Sequence, residues 1–206
     1  KGKRQIYIFG GSTVLNHDVP NNYTIAFYLQ SLLNNNYGES EFKVHNRGMA
    51  SVSVNQQLEF LKKTDLADGD IVIFYDGYND FFQGIINGDP EGNIIGSNRS
   101  NLSAVYIFKL KTFLRSYSQT YRLLSYLKYR DMVSCKNLQV SEEVISSRIE
   151  NTLDFCRSKK IHLIYLSSSM VYGNFNSKQV NEETVCNPLG IYGTLKYSGE
   201  LIVKAY

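Results

Sequence analysis

A chain of 206 residues, 43% of them hydrophobic, is long enough for one large α/β domain or two small ones around a real core. Its 22 Lys and Arg against 19 Asp and Glu leave a formal charge of +3, too small to point to a nucleic-acid partner. Cys135, Cys156 and Cys186 share no metal-ligand spacing and are odd in number, so buried thiols are expected. No run approaches the roughly 18 apolar residues of a membrane span.

In chain order, residues 5–9 (QIYIF) predict a strand, followed by a Gly turn and a helix over about 24–33, where Ile25, Leu29, Leu32 and Leu33 share a face. Residues 42–45 predict a second strand, and Val54, Leu58 and Leu61 line the next helix. The unbroken run 70–75 (DIVIFY) suits a strand buried on both faces. Residues 84–103, rich in Gly and Asn, read as loop. Helical patterns return over about 102–129 and 141–157, the second opened by Ser141 with Glu142 and Glu143, a hydroxyl cap with acids in the first turn. Residues 161–166 (IHLIYL) predict a fourth strand. The alternation implies an α/β fold, a doubly wound parallel sheet whose sites lie at the carboxyl ends of its strands.

Three of those strand ends carry polar, Gly-containing turns: Gly10-Gly11-Ser12-Thr13, Asn46-Arg47-Gly48 and Gly77-Tyr78-Asn79-Asp80. In this order and spacing they resemble the first three sequence blocks of the SGNH (GDSL-type) hydrolases, over about residues 4–166. The resemblance implies a flavodoxin-like, three-layer α/β/α esterase fold that needs no cofactor and takes a small ester or acylated sugar. It makes Ser12 the nucleophile, exposed on a tight turn whose glycines let the backbone approach substrate. The Ser12 and Gly48 amides and the Asn79 side chain would supply the oxyanion donors. Gly11 replaces the Asp usual in the family, and Asp80 is expected to stabilise its loop. The family's C-terminal Asp-x-x-His is missing. Of the three histidines, His162 opens the fourth strand, roughly 13 to 15 Å from the carboxyl edge. His17 and His45 are placed near that edge, without the family's position or Asp partner.

A second resemblance covers about residues 150–206. The strand ending in Ser-Ser-Ser with VYG (164–173), the acid-Pro segment 182–188, and Tyr192-Gly193-Thr194-Leu195-Lys196 followed by Gly199-Glu200 are similar to the extended short-chain dehydrogenase/reductases, the NAD-dependent epimerases and dehydratases. Tyr and Lys four apart share a helix face. The resemblance implies that Lys196 lowers the Tyr192 pKa and binds the nicotinamide ribose of NAD(P), that Tyr192 moves the proton, and that Ser168 polarises the substrate oxygen. Against it, GGSTVLNHDVP after the first strand lacks a third glycine in place and contains Pro20.

The expected organisation is therefore a hydrolase-like portion, 1–166, with an incomplete triad, joined to an epimerase-like segment, 167–206. The leading function is an ester or acetyl-ester hydrolase of weak activity; the alternatives are a sugar-nucleotide epimerase or dehydratase and a non-catalytic small-ligand module. Between Glu91 and Asp131 the chain carries cations and aromatics but no acid. This 102–130 stretch reads as a solvated basic face over an aromatic stripe, with docking on an anionic membrane surface or a partner as the alternative. The chain starts without Met and stops inside a helical pattern, as a fragment would. The second resemblance implies a cytoplasmic location, and a preceding segment would imply anchoring or export.

Overall fold

The computed structural model describes residues 2–16, 18–75, 135–175 and 179–206. The predicted loop over 84–103, the predicted helix over about 102–129 with its basic-aromatic stretch, and Asn79, Asp80 and His17 lie outside them. Strands β1 (Arg4–Gly10), β2 (Phe42–Gly48), β3 (Ile71–Tyr75) and β4 (His162–Tyr165) form one parallel sheet in the order β2-β1-β3-β4. This is the flavodoxin-like order, in which successive crossovers change direction at β1 and leave helices on both faces.

Strand alternation decides what each face buries. Tyr7, Phe9, Val72 and Phe74 meet Leu58 and Leu61 of helix α3 (Val54–Lys62) and Cys156 of α4 (Cys135–Ser158). Ile8, Val44 and Ile73 face the other way, against Val14 of the short helix α1 (Ser12–Leu15) and Ala26 of α2 (Ile25–Tyr37). The last helix, α5 (Ile191–Ala205), sets Leu195 against Ile149 and Leu153 of α4, with Leu163 of β4 packed alongside. Each fully buried Leu or Phe is worth roughly 1.5–3 kcal/mol of transfer free energy.

Polar side chains fix the sheet's borders. Asp70, buried at the foot of β3, accepts from the Gln5 amide (3.0 Å) and the Ala67 amide (2.9 Å), tying β3 to β1. Gln30 of α2 reaches the edge strand, accepting from the Val44 amide (2.8 Å) and donating to the Phe42 carbonyl (3.2 Å). Backbone groups there would otherwise be open to pairing with another chain.

Two sequence expectations need correction. The helix expected from Ser141 begins at Cys135, so Ser141 lies inside it and not at its start; CKNLQV contains no Pro or Gly to stop the helix earlier. The strand expected to end at His45 runs to Gly48, which carries His45 back from the edge. The Gly turn after β1 also leads at once into α1, closed by Asn16 in the left-handed region (φ 54), before Thr24 caps α2 by accepting from the Phe27 amide (3.3 Å).

Burial pushes the Cys156 thiol from near 9 up to about 11. The folded state thus favours the neutral thiol, and this contribution to stability falls as pH rises from about 9 towards about 11. In a Cys135→Ser background, a thiol reagent at neutral pH is expected to modify Cys186 quickly and Cys156 only on unfolding. Equally fast reaction of both would place Cys156 outside the core.

Candidate functional site

The register brings the strand ends into one row. Gly10 pairs with Gly48 and with Tyr75, and Phe74 with Tyr165, so the segments after β1, β2, β3 and β4 leave from the same edge. Ser12 stands two residues beyond Gly10, exposed, as the first residue of α1. The Val14, Leu15 and Asn16 amides bond back to Gly11 and Ser12 carbonyls, while the Ser12 amide makes no hydrogen bond among the described residues. Ser12, an exposed residue, therefore carries a hydroxyl able to act as a nucleophile and a backbone donor unbonded among the described residues, the kind of donor that oxyanion stabilisation requires.

Gly48 lies directly beneath this turn. A Cβ on it would fall on the backbone of Val14 and Leu15, and one on Gly10 would strike the Val14 side chain. Only glycine allows the two loops to close this tightly. The structure thus brings Ser12 and Gly48 together, while Asn79, four residues past the end of β3, lies outside the described residues.

Asn46 was missed in the sequence. Its side chain donates to the Val14 carbonyl (2.9 Å) and accepts from the Gly48 amide (2.9 Å), an Asx turn that straps β2 to α1. The signal was the N-x-G spacing, a turn-former with an αL-tolerant partner. In this state the Gly48 amide is bonded to Asn46 and not presented to a substrate oxygen.

Among the described residues, neither histidine is set to act as a base for Ser12. His45 is opposite Tyr7, three residues before the row of strand ends, or roughly 10 Å along the strand. It stacks on the Tyr7 ring (centroids 4.7 Å apart) and its Nε2 lies 2.8 Å from Gln5 Oε1. Its pKa is held below the ordinary value by burial first and by Arg47 and Lys43 next. His162 pairs with Ile71 at the opposite end of the sheet. A cavity of about 480 Å³ opens beside Gly48 and Met49, over Phe9, with Arg47 and Lys63 in its walls; Ser12 is not among them.

On the same edge, β4 leads into a 3-10 turn (Ser169–Tyr172) capped by Ser168, whose Oγ accepts from the Met170 amide (3.3 Å). Gly173 holds a positive φ of 66°, where a Cβ would collide with the Asn187 carbonyl, and Gly193 lets α5 approach the Met170 carbonyl. Tyr192 is half-buried and Lys196 is 1% exposed; both lie on α5 one turn apart. The sites of the two resemblances therefore occupy a single sheet edge, with the β1 and β4 ends about 10 Å apart across β3.

The residues after β1 do not fit a dinucleotide. A pyrophosphate needs an open glycine turn beneath the start of a long helix. Here Val14 fills the space over Gly10, α1 is four residues long, and α2 begins only at Ile25.

The model of the NAD dependent epimerase/dehydratase family matches residues 137–206. No curated protein matches the chain. Among solved structures, the chain is similar to Axe2, an acetylxylan esterase from Geobacillus stearothermophilus (16% identity, 98% of this chain and 72% of that one, TM-score 0.47). It is also similar to AlinE4, a SGNH-hydrolase family esterase (15% identity, 100% and 97%, TM-score 0.38), and to TesA (13% identity, 98% and 99%, TM-score 0.35). The chain is thus similar to SGNH-type esterases along its length and to the epimerase/dehydratase family over its last third, while the sheet order itself establishes the fold.

Proposed function

We propose that the chain is an SGNH-type serine hydrolase acting on a small ester, an acetyl ester or an acylated sugar. The observation that carries this reading is the Ser12 turn: an exposed serine just past the carboxyl end of β1, with an amide that makes no hydrogen bond among the described residues and Gly48 packed beneath it. In the reaction the Ser12 Oγ attacks the ester carbonyl and gives its proton to solvent, and the Ser12 amide receives the developing oxyanion. The ester C–O bond breaks, the alcohol leaves with a proton from solvent, and water then hydrolyses the acyl-serine to the free acid and Ser12. Asn79 is assigned as a further donor by resemblance, and Gly48 becomes one when its amide leaves Asn46. No cofactor is needed.

A fluorophosphonate probe is expected to label Ser12, slowly, and Ser12→Ala to remove the label. Labelling of Ser167 or Ser168 instead would overturn the assignment.

The second reading, an NAD-dependent epimerase or dehydratase, is favoured by the family match over 137–206 and would bring NAD(P) with it. The filled turn after β1 weighs against it. A third, a non-catalytic small-ligand module, predicts silence with both the probe and NAD.

A further inference from the structure

We propose that Lys196 is an internal clamp of this fold and not a cofactor ligand, its ammonium locking α5 onto the end of β4. The side chain is 1% exposed. Its Nζ donates to the Leu166 carbonyl at 2.5 Å and lies 4.3 Å from the centre of the Tyr165 ring.

Each contact answers a physical need. The Leu166 amide makes a bond to the Phe74 carbonyl, the last of the strand, so the Leu166 carbonyl projects beyond the described ladder and requires a donor. An ammonium buried beside Leu195 is tolerated only where hydrogen bonds and a π face replace its water. Tyr165 can lie under the helix because residue 199 is glycine: a Cβ there would stand 2.5 Å from the Tyr165 hydroxyl and 2.8 Å from Cζ. Tyr165, Lys196 and Gly199 therefore interlock. A ribose ligand must present its donors to an open crevice, whereas this buried ammonium donates to the end of the strand beneath it. The Tyr-x-x-x-Lys spacing persists here as a packing device, consistent with a turn after β1 that does not fit a dinucleotide.

Amine acetylation of the native chain, read by peptide mass spectrometry, tests this directly. Lys196 is expected to react at least tenfold more slowly than Lys204, whose side chain is 73% exposed. The difference should vanish in concentrated urea. Gly199→Ala is expected to displace the Tyr165 ring and raise the Lys196 rate several-fold, and Lys196→Met to lower the thermal midpoint; should either variant fail to fold, the native measurement stands alone. Equal rates for Lys196 and Lys204 in the native chain would overturn the clamp. So would slowing of Lys196 acetylation by added NAD, because that would show the ammonium reaching a nucleotide.

Discussion

The chain is expected to hydrolyse p-nitrophenyl acetate at no more than about 10³ to 10⁴ over water, the residue left when a triad loses a member, and Ser12→Ala to abolish that excess. An oxyanion donor and a positioned hydroxyl lower the barrier, but attack also requires a base to take the Ser12 proton. His45 cannot reach it: its ring is stacked on Tyr7, its Nε2 is bonded to Gln5, and its place in β2 is three residues short of the edge. His162 is at the other end of the sheet. Turnover at the rate of an intact triad, abolished by Ser12→Ala and also by His17→Ala, would show that a base has been recruited after α1 and would sink the expectation of weak activity. Turnover indifferent to Ser12→Ala would sink the hydrolase reading itself.

What could be read from the sequence followed the range of the physics. The strands were legible because QIYIF, DIVIFY and IHLIYL are apolar runs of strand length; the run fits β1, buried on both faces, whereas in β4 Ile164 is exposed. Ser12 and Gly48 were named through the resemblance, each in a polar, Gly-containing turn at the end of a strand, and the structure packs those two turns together. The full length of β2 was not legible: KVHNRG is polar, and it is a strand because β1 pairs with it residue by residue from Arg4 to Gly10. Nor was α1, four residues long, whose stability comes from Val14 packing on Ile8 and Ala26 and not from helix propensity. The surroundings of Lys196 were not legible. Spacing reports that Tyr192 and Lys196 share a helix face, but whether that face looks outward to a ligand or inward to Tyr165 depends on Gly199 and the end of β4, which no local pattern encodes.

Phe9→Ala is expected to destabilise the chain by about 3–5 kcal/mol, a large share of the roughly 5–15 kcal/mol by which a domain of this kind is stable. Phe9 is 1% exposed and stacks on Phe74 with ring centroids 5.3 Å apart, inside the cluster that joins β1 and β3 to Leu58, Leu61 and Cys156. Removing the ring leaves a cavity bordered by the central strands and two helices, which cannot collapse without breaking the parallel register. The loss should appear in urea as a lower midpoint with an unchanged slope. Because Phe9 immediately precedes Gly10-Gly11-Ser12, the same substitution should loosen the turn and reduce fluorophosphonate labelling of Ser12 even below the unfolding transition. A loss under about 1 kcal/mol would contradict the packing. A full loss with normal labelling would show that the Ser12 turn is held by Gly48 and Asn46 alone, independently of the core beneath it.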